Sequence, residues 1–185
     1  RFRVNAFSQR GSKAAVIRIV AYGIPDYREL NIPEQVMDLA DLSKGMVLVC
    51  GTAGSGKSTT LACIVDRINR TRDCHVITLE DPIEYLHRHQ MSIVSQREIA
   101  VDTENYGAAL RASLRQAPDV IQLGEMRDFN TIQTAVTAAE TGILMLATLH
   151  TGNAVNTIDR IIDSFPSSQQ EQIRVQLSAV LHTVI

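Results

Sequence analysis

Gly51-Thr52-Ala53-Gly54-Ser55-Gly56-Lys57-Ser58 decides the fold of this 185-residue chain. The octapeptide matches G-x-x-x-x-G-K-[ST] and sits where that pattern has physical meaning, after the apolar run Met46–Cys50 and before the helical periodicity of residues 57–70. With glycine near 7% of residues, a chance match in a chain of this length is on the order of 1%. The competing reading is a glycine-rich strand-to-helix turn with an exposed lysine, and the strand–loop–helix context argues against it. In the motif reading, backbone N–H groups along Gly51 to Thr59 turn inward around a phosphate. Lys57 supplies a cation for the β/γ oxygens, and the Ser58 hydroxyl is a Mg²⁺ ligand.

Working outward, Met46–Cys50, Val76–Leu79, Val120–Leu123 and Ile143–Thr148 are short continuous apolar runs of the kind buried inside parallel sheets. Helical periodicity lies between them near residues 57–70, 105–116 and 129–140, with extended structure near Ser92–Gln96. The expectation is an α/β sandwich. A short helix opens at Pro33, and two more are expected over 153–163 and 168–185, the last still running at Ile185. Arg1–Phe7 alternates, turns through Gln9-Arg10-Gly11 and returns over Ala14–Ile19, which reads as a β-hairpin. The division expected is residues 1–20 as the end of an upstream domain, 21–31 as a linker and 32–185 as the core domain, with both ends cut.

Composition narrows the classes. With 45% hydrophobic and 21% charged residues the chain can bury a core, and no apolar run reaches the length of a spanning helix. A net charge of −2 provides no global field for nucleic acid. Tryptophan is absent, which leaves little to stack bases on. Three cysteines without a C-x-x-C pair argue against a disulfide framework and a zinc site, and point to a reducing cytosol.

Two acidic elements end predicted strands, where ligands bind in open α/β sheets. Thr78-Leu79-Glu80-Asp81-Pro82-Ile83-Glu84 places three carboxylates within five residues. Gly124-Glu125-Met126-Arg127-Asp128 resembles a Walker B element with Glu in the usual Asp position. Glu125 would then hold Mg²⁺ through its water shell while a carboxylate of the first cluster polarises the attacking water. A polar loop is the bland reading of Glu80, Asp81 and Glu84, and a helix cap that of Asp128. His150, in Thr148-Leu149-His150-Thr151, ends the next strand and is placed to sense a γ-phosphate. His87 and His89 read as solvated, and His75 and His182 receive no role.

Taken together, the phosphate loop, the acidic box, the Gly-Glu box and the histidine box resemble the secretion ATPase superfamily of type IV pilus and type II secretion motors. Arg1–Phe7, Gly54–Ala62, Gln96-Arg97-Glu98, Thr157–Asp163 and Phe165-Pro166 resemble its pilus-retraction subgroup. The resemblance implies a RecA-like P-loop NTPase core preceded by the last hairpin of a PAS-like N-terminal domain. It further implies ATP and Mg²⁺ as cofactors, a homohexameric ring, and an inner-membrane pilus platform protein as partner. Residence would be in the cytoplasm, at the inner face of the cytoplasmic membrane, with no membrane insertion and no nucleic acid partner. It assigns Glu84 as catalytic glutamate, Glu125 as Walker B glutamate and His150 as the histidine-box residue. Arg3 and Arg18 match arginines that reach toward the γ-phosphate.

This sequence departs from the family at Thr52-Ala53, where Pro-Thr is usual, and at Ile143, where Thr-Gly-His is usual. Extension and type II secretion ATPases share all four boxes. A nucleotide-gated binding module with slow turnover and a small-molecule kinase are the readings from other classes.

Overall fold

The computed structural model describes residues 2–19 and 23–185; the side chains of Arg3, Arg18 and Ile19 lie outside that description. Strands β1 (Phe2–Gln9) and β2 (Ser12–Ile19) form the expected hairpin and pair with each other alone among the described residues. Phe2, Val4, Phe7, Val16 and Ile17 are exposed on it. A short helix α1 (Glu34–Met37) continues as a 3-10 turn over Asp38–Asp41. Pro33, expected as the first helical residue, is instead the extended residue before it.

The core is a six-stranded parallel sheet in the order β5-β4-β6-β7-β3-β8. Its strands are β3 (Gly45–Cys50), β4 (His75–Glu80), β5 (Ile93–Glu98), β6 (Val120–Leu123), β7 (Leu144–Leu149) and β8 (Leu181–Val184). The helices are α2 (Lys57–Thr71), α3 (Tyr106–Ser113), α4 (Phe129–Glu140), α5 (Ala154–Asp163) and α6 (Gln170–Val180). From β3 the chain moves one way across the sheet to β4. From β5 onward it moves back, to β6, β7 and then β8. Parallel crossovers are right-handed, so this reversal requires the helices to change face. Accordingly α2 packs on Val47, Val76, Val120 and Leu146. Helices α3 to α6 cover the other face, on Leu48, Ile77, Ile121 and Met145. Being covered on both faces, β6 and β7 are buried along their whole length, which explains the unbroken apolar runs.

One element differs from the expectation. Residues 168–185 are not a single helix: after a 3-10 turn, α6 stops at Val180 and Leu181–Val184 pair with β3. No glycine or proline marks the change, and the ladder with β3 is what makes it. Ile143 lies just before β7, packed on the α4 side, at the rim opposite the carboxyl ends of the strands. No helix among the described residues is long and apolar enough to cross a membrane.

Candidate active site

A parallel sheet brings the carboxyl ends of its strands to one rim, so the segments after β3, β4, β6 and β7 meet there. The phosphate loop follows β3. Gly51 has φ 146°, and a Cβ on it would stand 2.5 Å from Ser55 Oγ, so the first position of the loop admits only glycine. Lys57, 8% exposed, heads α2 and folds back, its Nζ donating to the carbonyl oxygens of Gly51 at 2.8 Å and Thr52 at 2.7 Å. Thr52 and Ala53 are exposed, and Thr52 enters the loop through its carbonyl. The family departures there change side chains that point to solvent.

Because β7 lies between β3 and β6, the residue following β7 falls between the phosphate loop and the Gly-Glu box. That residue is His150. Its Nδ1 is 3.4 Å from Lys57 Nζ and its Nε2 is 3.5 Å from Glu125 Oε2. An ammonium can only donate, so the tautomer that satisfies both contacts carries its hydrogen on Nε2. Arg127 donates to the same Glu125 oxygen from Nε and Nη2, each at 2.6 Å. Hydrogen bonding to Glu125 holds Arg127 more firmly charged. Gly124 is fixed by its N–H on Leu79 O at 2.7 Å, and its carbonyl accepts from the Thr148 hydroxyl. A Cβ at Gly124 would stand 2.8 Å from Tyr106 Oη and 3.1 Å from Leu79 O, so close approach, and not φ, favours glycine here.

The three carboxylates of the acidic box go to different places. Glu80 is buried, and its Oε1 accepts from Thr78 Oγ1 at 2.6 Å and Gln96 Nε2 at 3.1 Å. Burial raises its pKa, against the pull of those donors and of the Glu84 N–H. Asp81 precedes Pro82 across a cis peptide bond and lines a groove of about 420 Å³ with Tyr106, Arg127 and Asp128, beside α3 and α4. Burial first, then the charges of Asp81 and Glu125, push the Tyr106 hydroxyl pKa upward. Glu84 sits half-buried in the loop after β4, next to Tyr85, whose hydroxyl is 3.1 Å from Thr59 Oγ1 in the first turn of α2.

Lys57, His150 and Glu125 are therefore brought together, while Glu80 is taken up by Thr78 and Gln96 and Asp81 faces the groove it shares with Arg127. Arg3 and Arg18 face each other in the hairpin register, their side chains outside the described residues. Asp128 caps α4, its Oδ1 accepting from Thr131 N–H at 3.0 Å. His87 is not solvated as expected: burial lowers its pKa to about 4, with Asp66 opposing. His89 is exposed, yet its Nδ1 accepts from Val94 N–H at 3.0 Å. The contributions of Tyr85, Gln96 and Arg127 to the rim were not legible from local spacing. Ser58, exposed at the head of α2, and the carboxylate of Glu125 are hard oxygen donors of the kind Mg²⁺ prefers.

A family model described as type II/IV secretion system protein matches residues 1–185. Over 185 residues the chain is 47% identical to the type IV pilus retraction ATPase PilT of Pseudomonas aeruginosa, covering all of this chain and 54% of that protein. It is 48% identical over the same length to a twitching motility protein of Neisseria gonorrhoeae, of which it covers 50%. The crystal structure of the pilus retraction motor PilT with bound ADP matches 99% of this chain with a TM-score of 0.96 and 52% identity, and the chain covers 53% of it. The chain thus spans about half the length of these relatives.

Proposed function

The chain belongs to the type II/IV secretion system protein family, and from that membership we propose that it is part of an ATP-hydrolysing motor that powers type IV pilus retraction. The observation that carries this reading is the line Lys57–His150–Glu125 at the head of a strand–phosphate loop–helix unit. Such a line joins the group that meets phosphate to the group that meets metal. In this reading the loop amides and Lys57 bind the β- and γ-phosphates of ATP, and Ser58 and Glu125 would hold Mg²⁺. The metal, when bound, neutralises charge on the transferring phosphoryl group. Glu84 polarises the attacking water. His150, touching both Lys57 and Glu125, converts loss of the γ-phosphate into movement.

The same reading makes the hairpin the end of a PAS-like domain that delivers Arg3 and Arg18 toward the γ-phosphate. It places six copies in a ring that acts on a membrane platform protein from the cytoplasmic side. Domain closure that brings an arginine to the phosphate would couple nucleotide state to position in the ring.

The test is release of inorganic phosphate from ATP by the purified protein. Glu84→Ala should abolish steady-state hydrolysis while ATP still binds, and Lys57→Ala should lose binding. Unchanged turnover in Glu84→Ala would overturn the assignment of the base, and transfer of phosphate to a small acceptor would make the protein a kinase. Deleting the gene decides direction: excess surface pili supports retraction, and loss of pili makes it an extension motor.

A further inference from the structure

Glu84 has no regular secondary structure to hold it, yet both of its neighbours are pinned to β5. The Ile83 N–H donates to Glu98 Oε2 at 3.1 Å. The Tyr85 carbonyl accepts from Gln96 Nε2 at 2.9 Å. That same Gln96 nitrogen donates to Glu80 Oε1 at 3.1 Å, and Gln96 Oε1 accepts from the His87 N–H at 2.8 Å. One side-chain amide thus holds the loop at residues 80, 85 and 87, on both sides of Glu84. The loop's far side is tied to the phosphate-loop helix by the 3.1 Å contact between Tyr85 Oη and Thr59 Oγ1.

We infer that Gln96 is a positioning residue for Glu84, setting its place relative to the phosphate loop without touching nucleotide. The inference rests on the assignment of Glu84 as the group that polarises water. The chemistry of the side chain supports it. Two donors are needed, for a carboxylate and a carbonyl, together with one acceptor for an N–H, and only a primary amide of this length supplies all three. A leucine fills the space and makes none of them. A glutamate keeps the acceptor, loses the donors and sets a second carboxylate against Glu80.

The experiment compares Gln96→Leu, Glu84→Gln and the double variant in the intact protein, measuring steady-state ATP hydrolysis, ADP affinity by calorimetry and thermal melting. Gln96→Leu should lower kcat by about 10- to 100-fold while KM for ATP and Kd for ADP stay within about threefold, because misplacement of a reacting group costs rate and not binding. In the Glu84→Gln background the same change should cost nothing more of the residual hydrolysis read in single-turnover assays at high enzyme concentration, because Gln96 acts through the carboxylate already removed. Full kcat in Gln96→Leu, a loss confined to KM or ADP affinity, or independent multiplicative losses in the double variant would each overturn the inference. Should Gln96→Leu melt below the assay temperature, Gln96→Glu, which keeps the acceptor for the His87 N–H and loses the donors to Glu80 and the Tyr85 carbonyl, must show the same kcat-only loss. An inactive Glu84→Gln beside a fully active Gln96→Leu sinks this inference alone. A fully active Glu84→Gln sinks the assignment beneath it.

Discussion

Lys57 Nζ lies 3.4 Å from His150 Nδ1, although 93 residues separate the two in sequence. Strand order produces the contact: inserting β7 between β3 and β6 forces the residue after β7 to stand between the residues after the other two. With Glu125 Oε2 3.5 Å from the other ring nitrogen, the imidazole bridges the lysine and the carboxylate. His150→Ala should lower kcat for ATP by about 10- to 100-fold through misplacement of Lys57 and Glu125. ADP affinity, measured by calorimetry, should change much less, since the loop amides remain. Undiminished turnover would remove His150 from the site.

Gly124→Ala tests the close approach between the Gly-Glu box and its surroundings. The new methyl would meet Tyr106 Oη at 2.8 Å, but also Leu79 O at 3.1 Å and Glu80 Cα at 3.3 Å, and backbone cannot swing aside. Overpacking of this kind costs about 1–3 kcal/mol. Adding Tyr106→Phe removes the hydroxyl contact and should restore part of the loss in urea unfolding, leaving the backbone share. A Gly124→Ala protein as stable as the parent would show that the rim is looser than these distances require.

Asp128 illustrates a residue in a functional motif with a structural duty. Its carboxylate accepts from Thr131 N–H at 3.0 Å and Thr131 Oγ1 at 2.7 Å. Asp128→Ala should cost about 1 kcal/mol, the usual worth of an N-cap. For a chain of this size that lowers the melting temperature by roughly 2–4 °C. Asp128→Ser, which keeps a cap acceptor, should recover most of it. Failure of serine to recover stability would mean that the carboxylate does something besides capping.

His87 makes stability depend on pH. Its Nδ1 is buried without a hydrogen-bond partner among the described residues, and burial lowers its pKa from 6.5 to about 4. Between those values the unfolded chain takes up a proton that the folded chain refuses. The contribution is therefore fully present above pH 6.5 and is lost as pH falls toward 4, by at most about 3 kcal/mol. Glu80, raised by burial, works in the opposite sense, since acid relieves its cost. Melting curves of the parent and of His87→Phe from pH 7.5 to 4.5 separate the two. The parent should lose stability more steeply, and parallel curves would contradict the burial of the imidazole.

Much of this was legible in the sequence because the phosphate loop, Glu125 and His150 each terminate an apolar run, and strand ends in a parallel sheet share a rim. What the sequence concealed depends on contacts that leave no local period. Gln96 reaches residues 80, 85 and 87 from another strand, and no spacing rule announces an amide with three partners. Leu181–Val184 follow a helix without a breaker, and only the free edge of β3 makes them a strand. His87 lies in a polar stretch, where neighbouring charges suggest water. Its burial comes from the packing of that stretch, close enough to α2 for Asp66 to act on the ring. The carboxylates of the acidic box look equivalent in a string of letters. In space they are separated by the end of β4 and the turn that follows it.

The pairing of β3 has a mechanical side. Its ladder with β7 runs to Cys50 opposite Leu149, and on the other edge the Cys50 N–H donates to Ile185 O at 2.7 Å while Ile185 N–H donates to Leu48 O at 2.8 Å. To slide β3 along its axis, both ladders must shear at once. By contrast, among the described residues β5 is paired on one edge only, with β4. The phosphate loop is therefore bolted to the stiff beam of the sheet, and the loop holding Glu84 is slung from its compliant margin. Under the role proposed for Glu84, a load on the sheet would reach the group that polarises water before it reached the phosphate loop.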